Sequence, residues 1–238
     1  MRVADVIPPL SLPHTPHAMN IHDLPHDALA AKVRQAITNT TPDADMMAAV
    51  LEYGYPPEAF DAALADLVVY ETGITDQVDL SGQAEQATKE LDAEWAAFSK
   101  DVYADHVERA RRVFRGETGT LKRLGLNGAR ARAFDRWAGQ ARQLYATALG
   151  DADLQARLAT RGLDAATLQA GLDAVDALAK RNRDQEDLKG RAQQARRDRD
   201  KARATPLDWL SGYYEAAERA FKDHPDWLER IGKVAPSE

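Results

Sequence analysis

Asp43 opens the stretch DADMMAAVLEYGYPPEAFDAALADL, and Asp151 opens DADLQARLATRGLDAATLQAGLDAV, 108 residues further on. A second pair keeps the same register: DQVDLSGQAEQATKELD from Asp76 and DQEDLKGRAQQARRDRD from Asp184. Across residues 43–92 and 151–200, 16 of 50 positions are identical. One residue then drops out of the second copy. At an offset of 107, DVYADHVERARRVFRGETGTLKRLG from Asp101 aligns with DWLSGYYEAAERAFKDHPDWLERIG from Asp208. Shared alanine-rich composition scatters matches but does not hold one register with matched glycines. The reading is a tandem duplication of one helical unit. A Pro/His-rich arm covers 1–22, the copies cover 23–127 and 128–232, and a tail covers 233–238. Met19 is a second candidate start.

Working outward, each copy reads as helix only, because no stretch alternates with period two for long enough to make a strand. Helix A is expected from about Ala28 to Thr38 and, in the second copy, from Ala129 to Leu149. Helix B starts after Thr41 and Pro42 and stops at Gly54, matched by Gly162, each placed as a left-handed residue that ends a helix. Helix C spans Pro57 to Thr72, with Phe60, Leu64 and Leu67 inward, and Ala165 to Arg181, with Leu168, Leu172 and Val175 inward. TGIT (72–75) reads as a turn before helix D, whereas its partner KRNR (180–183) leaves open whether C and D are continuous. Helix D runs unbroken from Asp76 to Arg115 on the seam Leu80, Ala84, Ala87, Leu91, Phe98. Its partner carries Leu188, Ala192, Ala195 and Ala202 until Thr205 and Pro206 cap a kink or a new helix. Gly82 and Gly190 sit mid-helix, where glycine costs about 1 kcal/mol. Their match points to another backbone crossing closely there. The fold expected is all-α: two four-helix units, each with one long helix, related by a pseudo-two-fold axis in an elongated bundle.

The 238 residues carry no cysteine, which excludes disulfides, Cys-ligated metals and thiol nucleophiles. The net charge of −7 argues against general affinity for DNA or anionic membranes. With no long apolar run and no secretory leader in the arm, a cytoplasmic protein is expected. His14, His17, His22 and His26 are potential metal ligands, but prolines separate them and no helix sets them on one face. No metal site or cofactor is read there. His106 and His224 follow Tyr103 and Phe221 by three residues, so the Glu-x-x-His of di-iron bundles is missing. Ser81, Ser99 and Ser211 lie outside any nucleophile elbow. The run from Lys180 to Arg203 interleaves acids with bases and holds no aromatic residue, which reads as a solvated face rather than a nucleic-acid site.

The twice-occurring DQxDLxG supplies the candidate ligand residues Asp76, Gln77, Asp79, Asp184, Gln185 and Asp187, which would line one polar site shared by the copies. The plainer alternative is acid clustering near the start of a long helix. The stretch Lys189–Gly232, with KGRAQQARRDRDKA, DWL and HPDWLERIG, resembles a recurring segment of uncharacterised bacterial all-helical proteins. The resemblance covers under a quarter of the chain, implies an all-α fold and brings no activity with it. With every catalytic template failing, the sequence favours a non-enzymatic structural or interaction protein, partnered by itself or by another protein. The alternative is a small-ligand binder, or an enzyme without a familiar motif, using a cleft between the copies.

Overall fold

A computed structural model describes residues 20–233. His14 and His17, most of the 1–22 arm and most of the 233–238 tail lie outside them. Among the described residues every regular element is helical. In chain order these are α1 (His26–Thr40), α2 (Ala44–Leu51), α3 (Pro57–Ala97), a π-helical turn (Phe98–Tyr103), α4 (Ala104–Val113), α5 (Thr118–Arg123), α6 (Phe134–Leu149), α7 (Ala152–Ala159), α8 (Ala165–Ala202), α9 (Ala204–Ala220) and α10 (Pro225–Arg230). A 3₁₀ turn at Ile21–Asp23 precedes α1, with the Asn20 side chain accepting from the His22 amide. No helix is long and apolar enough to cross a membrane.

The helix ends follow local chemistry. Asp43 and Asp151 cap α2 and α7, each carboxylate accepting from the amides two and three residues on. Gly54 and Gly162 stop the same helices at φ +87° and +73°, the left-handed conformation that glycine adopts without a Cβ penalty.

The chain divides into two compact units. One combines the chain up to Asp76 with the chain from Arg196 onward, and the other is Gln77–Ala195. Both divisions fall inside long helices, at 76/77 in α3 and 195/196 in α8. One unit therefore combines α1 and α2 with α9 and α10, and the other combines α4 and α5 with α6 and α7.

The first unit's core holds Leu29, Val33, Ile37, Met46, Val50, Phe60, Leu67 and Tyr70, closed by Leu210, Tyr213, Phe221 and Ile231. The second holds Trp137, Ala141, Tyr145, Leu154, Leu158, Leu168, Val175 and Leu178, closed by Tyr103, Ala110, Phe114 and Leu124. Buried positions recur at the offset of 108: Phe60, Ala63, Leu67 and Tyr70 on α3 match Leu168, Gly171, Val175 and Leu178 on α8. Polar contacts recur too. Arg230 reaches the Asp43 cap at 3.0 Å and Arg123 reaches the Asp151 cap at 2.8 Å. Lys32 donates to the Gly232 carbonyl and Gln140 to the Gly125 carbonyl.

Several expectations are corrected. The TGIT turn does not form, since α3 passes through it unbroken and α8 likewise passes through KRNR. The Thr72 and Thr75 hydroxyls donate to carbonyls four residues back, inside the helix. Helix D is interrupted by the π turn. Ala129–Ala133 is not helical, because tertiary hydrogen bonds hold that segment open. A break does precede Pro206, but at Arg203, so Thr205 and Pro206 lie inside α9. Leu64 faces out at 37 % exposure. Gly82 and Gly190 are exposed, and a Cβ on either would meet nothing within 4 Å, so no backbone crosses there. The crossing is at Gly73, where a Cβ would stand 3.5 Å from the Arg199 Cα.

Candidate functional site

The six DQxDLxG residues are dispersed. Asp76, Asp79, Asp184 and Asp187 are exposed. Asp184 pairs with Lys180 one turn back, and Gln77 donates to Ser81 one turn on. Gln185 alone is buried, its amide bonded to the Thr88 hydroxyl of α3 at 2.8 Å. Thr88 lies eleven residues along α3 from Gln77, about 16 Å at the helical rise. The structure thus brings Asp184 and Gln185 to one cleft of about 100 Å³ against Leu91 and Leu188, but does not bring Gln77 to Gln185. Of the histidines, His22 is exposed, and His26 bonds the Tyr70 hydroxyl at 2.6 Å and approaches Asp200 at 3.4 Å. Among the described residues no three potential ligands gather around one point.

The larger cavity, about 560 Å³, lies wholly in the second unit. One wall is α4, a helix favoured by Ala and Glu, with Asp105 in its first turn and Arg111 and Arg112 in its last, where the dipole suits each charge. The opposite wall comes from the segment after α5. There Gly125, at φ +71°, turns the chain so that Leu126 is buried. The chain then runs without helix to Phe134, although alanine and arginine favour helix. Side chains override that propensity. Arg111 donates to the Leu126 and Gly128 carbonyls at 3.2 and 2.8 Å, Arg130 donates to the Ser99 carbonyl at 3.0 Å, and the Gln140 amide oxygen accepts from the Ala131 amide at 3.1 Å.

The floor is Tyr103, the last residue of the π turn. Its ring is fully buried at the edge of an aromatic cluster, 5.7 Å from Trp137, which also packs against Trp95, Phe98 and Phe134. Its hydroxyl is buried and has no hydrogen-bond partner among the described residues. Burial pushes that hydroxyl's pKa up to about 12, against the opposing pull of the Arg130 and Arg111 charges. It is therefore a proton donor at any physiological pH.

Charge in the cavity is one-sided. Arg111, Arg112, Arg115 and Arg130 line it with a single acid, Glu108, and the Glu108 carboxylate is taken up by Arg112. Arg115 has no hydrogen bond or ion pair among the described residues. Val107 and Leu126 supply apolar surface.

Sequence reasoning placed none of these residues in a site. The signal that marks them is divergence between the copies: Tyr103, Arg111 and Leu126 align with Leu210, Glu218 and Lys233. In the first unit Glu218 and Lys233 pair at 3.0 Å, and the Lys233 ammonium sits 5.1 Å from the Tyr214 ring centre. No family model, no curated protein and no solved structure matches this chain.

Proposed function

We propose that this chain is a small-ligand-binding protein, and that the 560 Å³ cavity under α4 is its site. A volume of this order suits a metabolite-sized ligand. One observation carries the reading: Tyr103, which lines the cavity, has a buried hydroxyl with no hydrogen-bond partner among the described residues, a cost of about 1–3 kcal/mol that a bound acceptor removes. A π-helical turn sets it there, and such turns cluster at functional sites. The walls come from both sides of the boundary between residues 127 and 128, so both copies contribute.

The same reading includes an origin by internal duplication, supported by burial and polar contacts that recur at offsets of 108 and 107. A ligand is expected to move the methyl resonances of Val107 and Leu126 when the full chain is titrated with a chemically mixed metabolite panel. If no compound moves them, the binding reading fails.

A second reading is a protein-interaction module. It is favoured by Leu64, Val68 and Val69 on α3, which stand 37, 51 and 64 % exposed on one short stretch of helix. It predicts an assembly larger than one chain by light scattering, dispersed by Val68→Asp with Val69→Lys.

A further inference from the structure

The arginines around the cavity outnumber what their helix requires. A cation or two in the last turn of α4 answers the negative helix end. That accounts for Arg111 and Arg112. It does not account for Arg130, which projects from a non-helical segment on the opposite wall, or for Arg115, beyond the helix end and unpaired among the described residues. Nor does composition account for them, since the protein as a whole carries −7.

Among the described residues Arg111 and Arg130 are bonded only to backbone carbonyls, which hold their positions and supply no counter-charge. A guanidinium has five donors, so each keeps several for a ligand. At the aligned place in the first unit the Arg111 position is Glu218, already neutralised by Lys233. Uncompensated positive charge is thus a property of this cavity and not of the repeated helix.

We infer that the cavity takes a phosphorylated small molecule. This rests on the ligand-binding reading above. Arg111, Arg115 and Arg130 hold the phosphate from two walls, and the Tyr103 hydroxyl donates to it from the floor. The organic body lies against Val107 and Leu126. A tetrahedral dianion offers acceptors in several directions, which suits donors arriving from separate elements. A planar carboxylate is met by one guanidinium fork. At the aligned place the Glu218–Lys233 pair is already matched in charge, so one ligand per chain is expected.

The test is a titration of the full chain with glucose 6-phosphate and adenosine 5′-monophosphate, with glucose and adenosine as uncharged parents, and with citrate and inorganic phosphate. Binding is read from the Val107 and Leu126 methyl resonances and by calorimetry. The phosphate esters are expected to bind with a stoichiometry of one, more weakly as salt rises, and their parents not to bind. Arg115→Gln, which removes no contact among the described residues, should weaken binding by about tenfold, the loss of roughly one charge-assisted hydrogen bond. Tyr103→Phe should weaken it less, with helicity unchanged. Parents binding as tightly as their esters would overturn the phosphate assignment and leave the binding site standing. So would citrate binding where the esters do not. Inorganic phosphate binding as tightly as the esters would remove the organic body from the assignment. If no compound perturbs either methyl, both the phosphate assignment and the binding reading fall.

Discussion

At the scale of single residues, the glycines separate two reasons for the same amino acid. Gly171 lies against the Tyr145 ring, where a Cβ would overlap the ring carbons, and Tyr145 is itself fixed by its bond to His106 at 2.9 Å. Gly171→Ala is therefore expected to destabilise by about 1–3 kcal/mol through overpacking. Gly82→Ala and Gly190→Ala meet open space and should each stabilise by about 0.4–1 kcal/mol, through helix propensity and a less flexible unfolded chain. Denaturant midpoints at unchanged slope measure all three. A rise for Gly171→Ala would contradict the packing described. The sequence placed the close approach at Gly82 because the copies match there. It lies instead at Gly73, whose partner Arg199 is more than a hundred residues away, and no local pattern encodes that distance. Two histidines give the fold a pH dependence of defined sign. Burial lowers the pKa of His106, and burial together with Arg199 and Arg203 lowers that of His26 below 6.5. Unfolded, each takes a proton near 6.5, while the folded chain resists it, so stability falls as pH drops through and below that value. Thermal midpoints from neutral pH to about pH 5 should decline, and the decline should flatten in the His26→Asn, His106→Asn double variant. An unchanged slope would remove both histidines from the account.

At the scale of elements, α1, α2, α6 and α7 were legible in outline because their apolar residues recur at helical spacing and their ends carry local signals, Asp43 and Gly54 or Asp151 and Gly162. The joints were not. The π turn at Phe98–Tyr103 leaves no mark in propensity, yet the aligned copies differ in length by one residue between positions 92 and 101. An i→i+5 turn absorbs one extra residue without breaking the helix. The shorter second copy instead breaks at Arg203 and restarts at Ala204. Deleting the exposed Lys100 should then convert the turn to ordinary α-helix and leave both flanks in place. Circular dichroism is expected to show undiminished helicity and a cooperative melt. Deleting the exposed Gly139 from α6, a regular helix, turns Trp137 by about 100° away from Ala141, Leu144 and Tyr145 and should unfold the second unit. Equal damage from both deletions would sink the idea. The cavity was illegible for a related reason: its arginines come from α4, from just beyond its end and from a segment whose propensity favours helix, which bonds made by the Arg111, Arg130 and Gln140 side chains hold open.

At the scale of the whole molecule, the sequence matches at offsets of 108 and 107 do not say how the helices are shared between the compact units. Each compact unit draws on both sides of the 127/128 boundary, as the Arg230–Asp43 and Arg123–Asp151 contacts show. A fragment of residues 77–195 contains every residue of the second core, from Leu91 to Leu178, and should give a cooperative melt with its Trp137 fluorescence shielded. A fragment of residues 23–127, one whole copy, lacks the partners of both its ends and should not melt cooperatively. The reverse result would assign each core to a single copy. The division also dictates a timetable during synthesis. A nascent chain has the whole of the continuous unit in hand once Ala195 has emerged. The other unit must wait: α1 and α2 leave the ribosome ahead of the continuous unit with Leu29, Val33 and Ile37 uncovered, and Leu210, Tyr213 and Phe221 arrive only after it. For that interval the nascent chain carries an unsatisfied apolar surface on α1 and α2, the kind of surface that chaperones hold.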